Sequence, residues 1–333
     1  MDPPLETIET ACTHCGAEKR TVLWSGTEHE YSNTTEAVFD FVRCAVCGVV
    51  RLDPRPAVTE LSRIYPPDYY AYNLTGGDDQ SIDRSLTNRL KMRMYQRRVL
   101  NQTSRLGKSG SIRMLDVGCG DGRLLDWYKA SSVGPRLTTH GIEMSATAAA
   151  VARKRGHHVV TGRFEVDEQL QPGTFDLILA SHVIEHVDDP LRFAMRAAEL
   201  LAPGGLFVVG TPNWNSFDAR VFRGHWGGNH FPRHWTLYDE ASIGDLARRV
   251  DLSLERVIYQ PNPIFWIWTC HSWLTARFPR RSWPDRVFPP VGIFEPSALS
   301  LVLQSGFTLI DLLQRALFGK TASMSAELRK APA

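Results

Sequence analysis

Between residues 112 and 260 the chain alternates two hydrophobic rhythms, and that alternation admits very few folds. IRMLDVG, RLTTHGIEM, HHVVTG, FDLILAS, LFVVGTPN and LSLERVIYQ are short apolar runs closed by turn residues. Between them, RLLDWYKAS, SATAAAVARKRG, PLRFAMRAAELLAPGG and DEASIGDLARRV carry helical spacing and helix stops. Strands joined through helices of this length pair in parallel, with helices on both faces of the sheet. The expected class is therefore α/β, a doubly wound and mainly parallel sheet. TASMSAELRKA (321–331) is expected to return to it as a last strand.

The first strand runs into MLDVGCGDG (114–122), with glycines at 118, 120 and 122 before a helix. Glycines here accept positive φ and let the backbone approach a ligand, and the following helix N-terminus favours a negative group. The spacing is G-x-G-x-G, not the dinucleotide G-x-G-x-x-G. The second strand ends in Gly141-Ile142-Glu143, and a carboxylate there can accept from both hydroxyls of a ribose. A nucleoside with a free diol and a small charged group fits this pattern better than a pyrophosphate.

DVGCGDG, Glu143, FDLILASHVIEHVDDP and ELLAPGGLFVVGTPN, in this order within residues 108–260, resemble the class I S-adenosylmethionine-dependent methyltransferases. The resemblance implies a Rossmann-like fold and S-adenosyl-L-methionine as cofactor. By position it implies that Asp116 and the backbone of Gly118, Cys119 and Gly120 hold the methionine amino and carboxylate groups. Glu143 would hold the ribose and Met144 would pack on the adenine. The loop of Gly162-Arg163-Phe164-Glu165 would meet the adenine, with Phe164 in the cofactor set. Many relatives have an acid directly after that glycine; Arg163 has no acceptor, so the contact falls to Glu165 or a backbone carbonyl. Ser181 and His182 would lie beside the transferring methyl.

Cys12-Thr-His-Cys15-Gly and Cys44-Ala-Val-Cys47-Gly are two matched C-x-x-C-G knuckles. The leading MDPPLETIET shows no secretory pattern, so these thiols read as metal ligands rather than disulfides, and the cytoplasm is the expected compartment. Four thiolates suit structural Zn2+. Residues 1–60 are expected to form a small β-rich zinc-binding module. Together with RCAVCGVVRLDPRP and IYPPDYY, it resembles the N-terminal module of some bacterial sugar and natural-product methyltransferases. Residues 61–107 read as a linker and a basic helix. Its apolar face is drawn through Leu86, Leu90, Met94 and Leu100, and its charge is Arg84, Arg89, Lys91, Arg93, Arg97, Arg98 and Arg105 against Asp83.

A sulfonium methyl is already activated, so the enzyme must mainly position the acceptor and supply a base where the acceptor is a hydroxyl. The candidate catalytic residues are His182, His230 and His234, with His186 as a further histidine and Arg233 beside them in GNHFPRHWTLYDE (228–240). His182 to His186 also spells H-x-x-E-H, a metalloprotease signature. A strand before it, Asp188-Asp189-Pro190 after it and the lack of an evident third ligand argue against a zinc helix. The N-methyltransferase signature Asn/Asp-Pro-Pro-Tyr is absent; Thr211-Pro212-Asn213 stands in that region.

Residues 261–318 form an apolar, helical insertion whose second half nevertheless carries Gln304, Asp311, Gln314 and Arg315. A lid, a homodimer interface and a peripheral contact with the inner face of a membrane are its three readings. Neither apolar run is a clean charge-free span, so no transmembrane helix is expected. A final segment occupies 319–333. The net charge of +2 argues against a nucleic-acid partner. The expected activity is O-methylation of a small-molecule or carbohydrate acceptor, free or nucleotide- or lipid-linked. Sugar C-methylation, rRNA methylation and a non-catalytic zinc adaptor are the alternatives.

Overall fold

The computed structural model describes residues 4–67, 69–70, 86–279, 281–295 and 297–333. Residues 68 and 71–80 of the expected linker, and 81–85 of the expected basic helix with Asp83 and Arg84, lie outside the described residues. So do the side chains of Leu86, Leu90 and Lys91.

The N-terminal part contains β1 (Thr7–Ile8), β2 (Arg20–Thr27), β3 (Val38–Cys44), β4 (Val50–Leu52), β5 (Arg55–Pro56) and α1 (Leu61–Ile64). After α2 (Leu86–Arg105) the alternation begins: β6 (Ile112–Val117), α3 (Arg123–Lys129), β7 (Leu137–Glu143), α4 (Ala146–Lys154), β8 (His158–Thr161), β9 (Phe175–Ser181), α5 (Pro190–Leu200) and β10 (Leu201–Pro212). Then come α6 (Phe217–Phe222), β11 (Thr236–Leu237), α7 (Glu240–Arg249) and β12 (Leu252–Gln260). The insertion supplies α8 (Pro263–Arg277), α9 (Trp283–Val287) and α10 (Ala298–Phe318), and β13 (Ser323–Lys330) closes the chain.

Seven strands form the central sheet in the order β12-β13-β10-β9-β6-β7-β8. β13 runs antiparallel to both of its neighbours, while β10, β9, β6, β7 and β8 are parallel. Consecutive residues of the central strands supply opposite cores, as the two-residue period of a strand requires. Leu115, Ile178 and Phe207 enter the core that holds Phe193 and Leu246. Met114, Leu177 and Leu206 enter the one that holds Leu125 and Ala149. From β6 the chain builds outward to β7 and β8 on one side, then to β9 and β10 on the other. That reversal opens a crevice at the carboxyl ends of β6 and β9, where ligands bind in such sheets.

The basic helix buries a different face from the one drawn through Met94. Val99 and Thr103 are buried and Tyr95 packs beside them, whereas Met94 is exposed. The buried row follows the i, i+4 spacing Tyr95–Val99–Thr103. One of its cations is structural: Arg105 Nε lies 3.1 Å from the buried Glu327 of β13.

The expected β-rich module contains an antiparallel sheet of β2, β3 and β4, but this sheet is not confined to the first 60 residues. Its fourth strand is β11, which pairs Thr236 with Arg51 and Leu237 with Val50. Phe39, Phe41 and Leu52 from the module share one core with Phe231, Trp235 and Trp268. The loop after β10 is thereby enclosed between the N-terminal module and α8.

Candidate functional site

The turn after β6 adopts the left-handed backbone that its glycines permit, with φ of 74° at Gly118, 55° at Gly120 and 80° at Gly122. A Cβ at Gly122 would stand 2.8 Å from His157 Cδ2 and 3.0 Å from Ala152 Cβ, so α3 starts hard against α4. Glu143, ending β7, accepts from Gly120 N at 2.9 Å and from Ser145 N at 2.8 Å. The acid expected to read a ribose therefore lies directly against the glycine turn. Gly118 N and Cys119 N donate to Ile142 O. The amides of 118, 119 and 120 are thus engaged within the protein, and Cys119 O accepts from Gly122 N.

Asp116 is buried beneath the turn. Burial, reinforced by the charge of Glu143, raises its pKa to about 7. Met144 is exposed. The thiol of Cys119 points inward; a Cβ at Gly141 would come within 2.4 Å of its sulfur. Phe164 also turns inward, its ring 4.9 Å from that of Phe193. Both residues can meet a nucleoside only through their backbone. Arg163 pairs with Asp188 at 2.7 Å and stands 3.8 Å from Glu165.

β9 ends at Ser181, and the chain turns at His182 with φ 55°. A Cβ at Gly118 would lie 3.1 Å from Val183 Cγ2, so this segment packs on the glycine turn. Nδ1 of His182 is 3.0 Å from Glu185 Oε1, and its ring is only half-buried. Glu185 is fully buried, which opposes its charge, yet His182 and its neighbours hold its pKa down to about 2.

Ile184–His186 is a single 3-10 turn, not a long helix. The motif's own ligand set is not formed, because His182 stays out of it, but Glu185, His186 and His234 each offer a ligand atom within 4.8 Å of the others. His186 Nδ1 lies 3.1 Å from Arg233 O and 2.9 Å from Tyr65 OH, and His234 Nδ1 lies 2.8 Å from Gly228 O. A carbonyl accepts, so both Nδ1 atoms donate and both Nε2 atoms keep a lone pair. Glu185 Oε2 has no partner among the described residues. Burial, then His186, lowers the pKa of His234 to about 3, so it is neutral. This group could hold a divalent cation, and it is separate from the cysteines.

Arg233, expected with His230 and His234 to line the substrate pocket, has its side chain tied up inside the protein. Its guanidinium is fully buried, 2.5 Å from Glu28, with Nε donating to Ile64 O at 2.6 Å. It locks the loop to the N-terminal module and does not face an acceptor. His230 is also buried: Nδ1 bonds Glu30 Oε1 at 2.7 Å, Nε2 lies 3.1 Å from Tyr69 OH, and the ring stacks on Trp268 at 5.0 Å. Both of its ring nitrogens are thus engaged within the protein. Sequence reasoning missed Glu28, Glu30, Tyr65 and Tyr69. The signals were two acids close together in the turn GTEHEY, and the tyrosines of IYPPDYY.

The four knuckle cysteines converge. Cys12 and Cys47 sulfurs are 3.5 Å apart, Cys15 and Cys44 sulfurs 3.6 Å, and one atom from each lies within 4.8 Å of the rest. Tetrahedral zinc with bonds of ~2.3 Å separates its sulfurs by about 3.8 Å. Gly16 and Gly48, at φ 71° and 77°, turn the chain after each pair. The donor set fits zinc.

A seven-stranded sheet with an antiparallel penultimate strand, and a glycine turn facing an acid across its switch point, define the class I S-adenosylmethionine-dependent methyltransferase fold. A family model described as a methyltransferase domain matches residues 90–257, just over half of the chain. The chain belongs to this methyltransferase-domain family. It is 33% identical over 163 residues to a ubiquinone biosynthesis O-methyltransferase of Bradyrhizobium sp. (strain ORS 278), covering 45% of this chain and 63% of that protein. It is 35% identical over 135 residues to the enzyme so named in Rhodopseudomonas palustris (strain TIE-1), covering 39% and 52%. The chain thus spans half to two thirds of the length of these relatives. A candidate sarcosine dimethylglycine methyltransferase from Galdieria sulphuraria shares the fold, with a TM-score of 0.50 and 16% identity over 79% of this chain and 98% of that one. So does the [4+2]-cyclase SpnF, at 0.50 and 15%, over 83% and 96%.

The lock at Arg233 is testable. Glu28→Gln leaves a buried guanidinium undercompensated and is expected to cost about 3–5 kcal/mol of stability in urea unfolding. A cost under about 1 kcal/mol, the range of an exposed pair, would show that the ion pair is not structural.

Proposed function

We propose that this protein transfers the methyl group of S-adenosyl-L-methionine to a hydroxyl of a small-molecule acceptor, a sugar, glycan or natural product. One observation carries the reading: a half-exposed histidine, oriented by a buried ionised glutamate, stands at the end of β9 against the glycine turn. Glu185 fixes the Nδ1–H of His182 and stabilises the imidazolium that forms, which leaves Nε2 to accept the hydroxyl proton as the oxygen attacks the methyl carbon. Asp116 and the turn carbonyls meet the cofactor's amino group, Glu143 its ribose and Met144 its adenine. The similarity to O-methyltransferases of ubiquinone biosynthesis supports an oxygen acceptor. The reading assigns no nucleic-acid partner.

Sugar C-methylation is the second reading, favoured by the Tyr69–His230–Glu30 relay. A phenol bonded to a histidine that is itself bonded to a buried carboxylate can move a proton from carbon. The cysteine cluster holds structural zinc, with four sulfur ligands and no open position, and takes no part in either reaction.

In a labelled-methyl transfer assay over fractionated metabolites and glycans, His182→Ala is expected to lower kcat/KM about 10²–10⁴-fold, with cofactor affinity unchanged. An unaltered rate rejects His182 as the base. Full loss from Tyr69→Phe with His182→Ala active, and a new carbon–methyl signal by NMR, selects C-methylation.

The raised pKa of Asp116 gives a signed pH effect. A cationic cofactor binds the ionised acid, so affinity rises with pH through about 7 and then levels off. Calorimetry is expected to show about tenfold weaker binding at pH 6 than at pH 8, and Asp116→Asn to bind weakly without this dependence. A flat wild-type profile contradicts the assignment.

Metal analysis is expected to find one zinc per chain, reduced in Cys44→Ser together with the melting temperature. Stoichiometric zinc in that variant would place the metal elsewhere.

A further inference from the structure

α10 is amphipathic in the reverse sense to a water-exposed helix. Its buried side chains are polar, while Arg315, near its end, and Ser305 are exposed. Ser300 donates to Ile293 O at 2.6 Å, Asp311 accepts from Asn262 N at 2.7 Å and from Trp266 Nε1 at 2.9 Å, and Gln314 donates to Asp218 Oδ1 at 2.9 Å. These three residues are the buried positions of the helix. The outer face presents Leu301, Val302, Leu309, Ile310, Leu313 and Leu317, each 42–67% exposed. Residues 296–310 hold no charged side chain. A soluble surface helix turns leucine inward and charge outward, and a continuous apolar face of this size marks an interaction surface.

The 21 residues are long and apolar enough to cross a bilayer, and only 11% of the most apolar stretch is buried, so this is not a core helix. Its polar face is nevertheless bonded to α6, α8 and the residues before it from one end to the other. It therefore lies along the protein and does not leave it.

We propose that the outer face of α10 rests in the interfacial layer of an anionic lipid bilayer. The rims identify the occupant. Antiparallel packing of α8 and α10, with Trp266 stacked 6.0 Å from Phe307, brings the end of α8 and the loop to α9 to the start of α10. Trp273, Phe278 and Trp283 are exposed there, with Arg277, Arg281 and Arg286. At the other end Phe217 stacks on Phe318 at 4.7 Å, and Arg220 and Arg223 are exposed close by. The acids at the first rim are Asp285, bonded to His271 at 2.8 Å, and Glu295. An apolar centre bordered by tryptophan and arginine matches the boundary of acyl chain and headgroup, and the arginines complement anionic headgroups. A second copy of this chain would set one arginine rim against another, which opposes pairing. α8 carries the surface to the site, because its Trp268 stacks on His230 and its Phe265 ring lies 6.2 Å from that of His182. The inference does not depend on which acceptor is methylated.

The test is flotation of the full-length protein with phosphatidylcholine vesicles, alone or with about one third phosphatidylglycerol. Wild type is expected to float with the anionic vesicles and far less with the neutral ones. Leu309→Glu combined with Leu313→Glu is expected to lower binding at least about tenfold while keeping the wild-type thermal melt, since both side chains are exposed. Arg277→Glu with Arg281→Glu should remove the preference for anionic lipid. Absence of flotation with either vesicle overturns the proposal. So does sedimentation that finds a wild-type dimer which the double glutamate variant converts to monomer, without any vesicle binding.

Discussion

Arg233 carries a charge with no access to water, and the architecture around the site follows from neutralising it. A buried guanidinium left unpaired is untenable, so Glu28 must come to it from the N-terminal module and the carbonyl of Ile64 from the segment that follows. Those two contacts pin the module and the IYPPDYY segment to the loop after β10. Once they are pinned, Tyr65 reaches His186, Tyr69 reaches His230, and Glu30 closes on the other nitrogen of His230. The cysteine knuckles fit the same scheme from further out. Their core is continuous with that of α7 and Tyr238, and a metal there would stiffen the platform that delivers Glu28 and Glu30.

Two carboxylates beside the switch point are held in opposite states. Asp116 has only burial and the like charge of Glu143 around it, and its proton is retained to about pH 7. Glu185 is equally buried but faces three imidazoles and stays ionised. Equal burial thus leaves the two acids in opposite protonation states at neutral pH, and their charged neighbours make the difference. α10 shows the same rule in reverse. It satisfies its polar groups inward, which leaves leucine to meet whatever lies outside.

Much of the fold was legible because its signals are local. The strand and helix rhythm, the glycine turn with Glu143 opposite, and the return of 321–331 as a strand all depend on periodicity and turn chemistry over a few residues. The knuckle cysteines were legible for a similar reason, each pair being one tight turn. Met94 was placed on the buried side of the basic helix and is exposed, because only the neighbours Trp127 and Tyr128 decide that Tyr95 packs instead.

The sequence by itself determined the class of sheet and the place of the glycine turn with Glu143 opposite, since those follow from short-range pattern. It could not determine that Thr236 and Leu237 complete the sheet of a module some 200 residues earlier. Nor could it show that Arg233 is a lock, that His234 joins Glu185 and His186, or that the polar side of α10 faces inward. Each of these rests on a contact between segments far apart in the chain. Long-range pairing is set by how buried charges and apolar faces are satisfied together, and that becomes visible only when the whole chain is packed.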